Sequence, residues 1–235
     1  MLGGLLLAGA LLLISSCGSS KSSSTAASGA SASVSTSAGV TSTSTTSASG
    51  GCTPVSAPTP RGPQHIARPT LRLDPSKRYV VTLATNCGAI TIQLDVKHAP
   101  RTAASFAYLV RSGFYNNLTF HRVAANFVIQ GGDPNGDGSG GPGYTIVEPP
   151  PQNLHYTLGT VAMAKTGADP SGASGSQFFI VTTQEAPLPA QYALVGNVVG
   201  SFAGVEAIAK LPTNPPQDGA PDQPVVISHA TLSES

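Results

Sequence analysis

From residue 79 onward the chain is broken into short apolar segments, most of them closed within a few residues by glycine, proline or asparagine. "YVVTLAT" (79–85), "TFHRV" (119–123), "FVIQGG" (127–132), "GTVAMAK" (159–165), "SQFFIVT" (176–182), "LVGNVVG" (194–200) and "PVVISHATL" (224–232) are strand-length pieces, rich in β-branched and aromatic residues. After the turn at "NCG", Ile90, Ile92 and Leu94 alternate with Thr91, Gln93 and Asp95, the period of a strand with one buried face. Two stretches depart from this pattern. In "HAPRTAASFAYLVRSG" (98–113) Pro100 suits a first helical turn, Ala103, Phe106 and Val110 recur at helical spacing, and Gly113 ends the run. A second helical pattern covers 205–210. Many short strands, two helices and no repeated strand–helix–strand alternation predict a mainly β domain, an antiparallel barrel closed on itself.

The first 70 residues differ in composition from that domain. Residues 2–14, "LGGLLLAGALLLI", form an apolar run shorter than the ~20 residues that cross a bilayer. The run ends in Ile14-Ser15-Ser16-Cys17, which resembles a bacterial lipobox with Cys17 as the lipidated residue, although no Lys or Arg precedes it as in most secretory signals. Residues 18–51 are Ser, Thr, Ala and Gly apart from Val34, Val40 and one charge, Lys21, and bury too little apolar surface to offset ordering. A flexible segment of that length reaches roughly 30 Å. Residues 54–69 carry several prolines and are expected to be extended against the domain edge. The division is therefore a lipoprotein signal peptide over 1–17, a Ser/Thr/Pro-rich tether over 18–70 and the folded domain over 71–235. The expected location is outside the cytoplasm, lipid-anchored on the extracytoplasmic side of a bacterial membrane. With Cys17 lipidated, Cys52 and Cys87 remain as a pair suited to a disulfide in an exported protein.

Charge is sparse and balanced, 12 Lys and Arg against 11 Asp and Glu, which argues against a nucleic-acid footprint or a polybasic membrane patch. Nothing demands more than a monomer, and membrane contact is expected through the N-terminal lipid only. Several motifs fail on inspection. Asp133-x-Asn135-x-Asp137-Gly138 begins like a calcium loop, but position twelve is Tyr144 where a bidentate Glu is required. "GDGSGGPG" (136–143) lacks the strand-to-helix context of a phosphate cradle. Ser174 in "GASGS" misses the nucleophile-elbow pattern by its last glycine. The five histidines have no metal-ligand spacing, so no metal and no cofactor are expected.

What remains is one arginine and one glutamine set among apolar residues in "FHRVAANFVIQGGDP" (120–134), with no nucleophile beside them. That block, then "MAK" (163–165), "GSQFFI" (175–180) and "LVGNV" (194–198), in this order, resembles the cyclophilin-type peptidyl-prolyl isomerases over residues 77–233. The "FYNNLTFHRV" lead-in and the "GGPGY" loop are similar to bacterial members. The resemblance implies an eight-stranded antiparallel β-barrel capped by two α-helices, with the site on one outer face. It implies an isomerase that accelerates X–Pro exchange in exported polypeptides, with Pro-containing chains as its partners and Arg122 as its catalytic residue. Phe127, Val128, Phe179, Leu188 and Tyr192 would line a proline pocket, and Gln130 would hold substrate backbone and orient Arg122. Gln177 would do similar polar work at the rim. Ala164 and Lys165 would flank the groove, and His121 would be a hydrogen-bonded neighbour. Three departures stand out. Pro187 occupies a position often held by tryptophan, which bears against tight cyclosporin binding more than against catalysis. Tyr192 stands where histidine is frequent, and Lys165 where asparagine is. The competing reading is a binding module or holdase that grips Pro-containing segments without turning them over.

Overall fold

The structure is a computed structural model and describes residues 51–235. Cys17 and the run 18–50 lie outside the described residues.

Eight strands form one closed antiparallel ring. They are β1 (Tyr79–Thr85), β2 (Gly88–Leu94), β3 (Leu118–Ala124), β4 (Val128–Asp133), β5 (Thr160–Met163), β6 (Phe178–Val181), β7 (Leu194–Val198) and β8 (Val226–Glu234). Neighbours run in the order β1-β2-β7-β5-β6-β4-β3-β8, and β8 pairs back with β1, so no barrel edge is left open. Two helices accompany the barrel, α1 (Pro100–Arg111) and α2 (Ala203–Ala209). Among the described residues no helix is long and apolar enough to cross a membrane.

Strand alternation fills the barrel. Val81 and Leu83 on β1 and Ile90 and Ile92 on β2 are fully buried, while the residues between them are only partly covered. Helix α1 adds Ala103, Phe106, Ala107, Leu109 and Val110 to the same cluster. Pro100 stands at its start, where its missing N–H is no loss. Ala99 offers no side-chain cap; the Glu148 carboxylate instead accepts from the Arg101 and Thr102 amides at 3.1 and 2.7 Å. The far end closes with Gly113 at φ +71°, its N–H bonded to the Val110 carbonyl and that of Phe114 to Leu109, a Schellman arrangement.

Residues 52–70, of which 54–69 were expected to run extended against the domain edge, lie along the barrel. Their polar backbone finds partners there. Thr53 N–H donates to the Asn86 carbonyl, Arg61 N–H to Pro134 and Ile66 N–H to Pro142. The Arg61 guanidinium donates to the carbonyls of Phe114 and Asn116. Gly143 passes so close beneath this strap that a Cβ there would lie 2.2 Å from the Gln64 carbonyl oxygen. Cys52 and Cys87 are joined by a disulfide, which ties the start of the strap to the β1–β2 turn.

Candidate functional site

The site grows from the side chains that alternation turns outward. On β4 Ile129 enters the barrel, whereas Val128 and Gln130 face out; on β6 Phe178 and Ile180 enter, whereas Phe179 and Val181 face out. Val128, Phe179, Val181 and Ala162 of β5 form a second apolar cluster with Ala124, Tyr156 and Ala186. Phe127, Leu154, Ala164, Leu188 and Tyr192 pack against it. A barrel strand with large apolar residues on both faces needs something to cover the outer one, and here the cover is incomplete.

The opening left is a pocket of about 120 Å³ lined by Arg122, Phe127, Val128, Gln130, Ala164, Lys165, Phe179, Leu188 and Tyr192. Its volume is well below the ~300–1,000 Å³ of drug-sized ligand sites, so it suits one small apolar side chain. Phe179 and Tyr192 meet edge to face at 5.5 Å between ring centroids. Tyr156, wholly buried behind them, fixes the Tyr192 backbone twice: its hydroxyl donates to the Tyr192 carbonyl at 2.7 Å and accepts from the Tyr192 amide at 2.9 Å. Burial pushes the Tyr156 hydroxyl pKa up to about 12, so it remains a donor.

Arg122 reaches this face through an irregularity in β3. Phe120 is opposite Gly131 and Arg122 opposite Gln130, so His121 is an extra residue on β3. Regular pairing would place Phe120 and Arg122 on the same face. The bulge at His121 lets Phe120 and Val123 both point inward and sends Arg122 outward beside Gln130. His121 was expected to be hydrogen-bonded and to contribute to the site. Neither of its ring nitrogens meets a partner among the described residues, and the side chain does not line the pocket. Burial, with Arg122 adding to it, lowers its pKa below 6.5, against a smaller opposing pull from Asp133 and Asp137. It is held as a neutral ring under the bulge.

A line of polar groups fixes the arginine. Its Nη1 donates to Gln130 Oε1 at 3.1 Å, Gln130 Nε2 donates to Gln177 Oε1 at 3.0 Å, and Gln177 Nε2 donates to the carbonyls of Gly138 and Gly140. On its other edge Nε and Nη2 donate to the two carboxylate oxygens of Asp218 at 2.7 and 2.8 Å. The contact with Arg122 depresses the Asp218 pKa. Of the five N–H groups of a guanidinium, one on Nη1 and one on Nη2 make no hydrogen bond within the described residues, and the Nη2 one points off the tip. Lys165 leans over the Tyr192 ring with Nζ 5.6 Å from its centroid and donates to the carbonyls of Thr166 and Asp169. Ala164 and Lys165 are shared with a neighbouring groove of about 560 Å³ between residues 138–145 and 164–177, where Gln177 also lies. That glycine loop is shaped by Asp133, whose buried carboxylate accepts from the amides of Asn135, Asp137 and Gly138 and is thereby consumed.

Apart from His121, the residues singled out on sequence thus converge on one outer face, with Gln177 on the groove side rather than in the pocket. Asp218 and Tyr156 were not singled out. Asp218 stands among turn formers in "NPPQDGAP", and only pairing across the fold brings it to Arg122. Tyr156 lies in "LHYTLG" with no apolar period around it, and no sequence signal marks its role.

Known proteins resemble this chain in sequence and fold. The family model for cyclophilin type peptidyl-prolyl cis-trans isomerases/CLD matches residues 80–232, more than half of the chain. A peptidyl-prolyl cis-trans isomerase B of Streptomyces anulatus is 38% identical over 175 residues, covering 67% of this chain and 98% of the relative. A peptidyl-prolyl cis-trans isomerase of Helicobacter pylori is 36% identical over 151 residues, covering 59% of this chain and 90% of that one. Among solved structures, a Cryptosporidium parvum cyclophilin type isomerase crystallised in the presence of the dipeptide Ala-Pro superposes with a TM-score of 0.60 at 28% identity, covering 66% of this chain and 98% of its own. With the eight-stranded ring, the outward pocket and the matched span in agreement, the chain belongs to the cyclophilin-type peptidyl-prolyl isomerase family.

Proposed function

We propose that this chain accelerates cis–trans exchange at X–Pro bonds by holding the proline ring in the 120 Å³ pocket and presenting the Arg122 tip to the twisted amide. The observation that carries the proposal is the placement of a fixed guanidinium on the wall of an apolar slot. An amide resists rotation by about 18–20 kcal/mol because of resonance. At an X–Pro bond both isomers are populated, yet uncatalysed exchange takes tens to hundreds of seconds. Midway through the rotation the proline nitrogen regains its lone pair and becomes a hydrogen-bond acceptor. The free Nη hydrogens of Arg122 bind that state better than either planar one, which is the condition for catalysis. A charge-assisted bond of about 1.5–3 kcal/mol gives roughly one to two decades of rate at 1.36 kcal/mol per decade. No covalent bond is made or broken, so the reaction requires no nucleophile. Removing the amide from water as the ring enters the pocket and holding one side of the bond still supply the remainder.

The substrates proposed are Pro-containing segments of exported chains, reached by a tethered enzyme with Cys17 as the lipidated residue. The disulfide between Cys52 and Cys87 supports an oxidising compartment. That the related C. parvum structure was determined with Ala-Pro supports a Pro-containing ligand.

NMR exchange on a short X–Pro peptide tests the reading. Catalysed exchange by the wild type, with Phe127, Phe179 and Tyr192 shifting on titration, is expected. Peptide binding at those residues without any rise in exchange rate would favour the binding-module reading instead.

A further inference from the structure

We propose that Asp218 is a positioning residue for catalysis, acting through Arg122; this rests on the isomerase reading above. Asp218 belongs to a spur outside the barrel ring. The strand Asp218–Pro221 pairs with Thr213–Asn214 on one side and with the end of β3 on the other. Asp218 faces Ala124 across that last pairing. Arg122 lies two residues further along β3, at the diagonal distance that a long side chain spans.

The spur is held in place independently of the ion pair. Ala125 N–H donates to the Gln217 carbonyl at 2.7 Å. Gly219 leaves room for the tight return of the chain, since a Cβ there would lie 2.5 Å from Asn214 backbone atoms and from Pro215 N. The carboxylate is therefore presented by backbone that does not depend on the arginine, as a positioning group requires.

An arginine side chain has four rotatable bonds, and its head on an open sheet face would sample many positions. Asp218 grips the Nε–Nη2 edge through both oxygens, and Gln130 takes one Nη1 hydrogen. Two contacts on different edges of a rigid planar group define its plane and its direction, which leaves one hydrogen on each Nη, that of Nη2 at the tip, for substrate. A carboxylate also weakens the positive charge that stabilises the twisted amide. That opposing effect is the smaller one here. The pair keeps 34% and 54% of its side-chain surface in solvent, so the charge is screened, whereas a misdirected head loses the hydrogen bond outright.

The test compares Asp218→Ala and Asp218→Asn with wild type, in the Arg122 and the Arg122→Ala backgrounds, by NMR exchange on an X–Pro peptide. Asp218→Ala should lower kcat about 10-fold while the peptide Kd stays within about 2-fold, because the ground state uses the pocket and not the aimed tip. Asp218→Asn keeps one acceptor and should fall between the two. In the Arg122→Ala background the same substitution should change the residual rate by less than about 1.5-fold. An equal loss in both backgrounds would make Asp218 merely structural. An unchanged or faster rate for Asp218→Ala would make it irrelevant or a brake. Either result overturns the proposal. The Nε–H resonance of Arg122 gives an answer independent of turnover: it should be sharp and slow to exchange with solvent in the wild type and lost in Asp218→Ala. A wild type with no isomerase activity would sink the functional reading, and the Nε–H signal would still decide for or against Asp218 as the anchor.

Discussion

Cutting the strap free offers a stability test whose size follows from the chain itself. Cys52 and Cys87 are 35 residues apart, and the bond between them removes the conformations in which an unfolded chain would hold those ends apart. In the chain-entropy treatment a loop of that length gives about 13 cal/mol/K, or about 4 kcal/mol at 25 °C. Cys52→Ser is the cleaner change, because Cys52 is only half-buried and its hydroxyl meets water, whereas a serine at the buried Cys87 would add a desolvation cost. For a domain of this size 1 kcal/mol moves the midpoint by about 2–4 °C, so the expected shift is roughly 8–16 °C. Scanning calorimetry should show that drop for Cys52→Ser, and wild type scanned in reductant should fall to the same midpoint. The effect operates mainly on the unfolded chain, so native amide chemical shifts in β1, β2 and β7 should change little, whereas the exchange of their most protected amides, which runs through global unfolding, should quicken in step with the lost stability. A shift under about 2 °C, or a wild type indifferent to reductant, would refute the reasoning.

Other outcomes follow from single contacts. Gly132 sits at φ +84° with Ser176 O at 2.6 Å and the Phe178 ring at 2.9 Å from where a Cβ would stand, so Gly132→Ala should cost about 2–5 kcal/mol in urea unfolding. Tyr156→Phe removes both hydrogen bonds to the Tyr192 backbone and should cost about 1–3 kcal/mol while raising KM for X–Pro peptides. The unfolded chain protonates His121 near pH 6.5, whereas the fold holds it neutral, so that contribution to stability is full above about pH 6.5 and is lost as pH falls toward the lower folded-state pKa. His121→Asn should therefore lose less stability than wild type between pH 7.5 and 5.5, as read from urea midpoints.

The barrel was legible because its signal is local. Ile90, Ile92 and Leu94 alternate in the sequence and enter the same interior, and Pro100 and Gly113 bracket a helix that ends at Arg111. The pocket was legible through ordered blocks rather than through period, since Val128 and Phe179 look like core until the barrel closes and turns them outward. Three features were not legible. The bulge at His121 is a mismatch of one residue between two strands, and "FHRV" carries no mark of it. The clamp on Arg122 comes from a residue 96 positions away, contributed by a spur whose own sequence reads only as turn. For the strap, the prolines indicated an extended run against the domain edge, but its hydrogen-bond partners lie on distant loops such as Pro134 and Pro142 and had no mark in the sequence.

In the proposed mechanism a planar, two-edged cation aimed into the pocket carries the rate, not merely a positive charge nearby. Comparing Arg122→Lys with wild type, by catalysed exchange and by peptide Kd on the same sample, tests it most directly. Lysine keeps the charge but cannot hold Asp218 and Gln130 on separate edges while offering a tip. The lysine variant should have kcat lower by about 10- to 100-fold with Kd changed by less than about 3-fold. A lysine variant that turns over as fast as the wild type would contradict it.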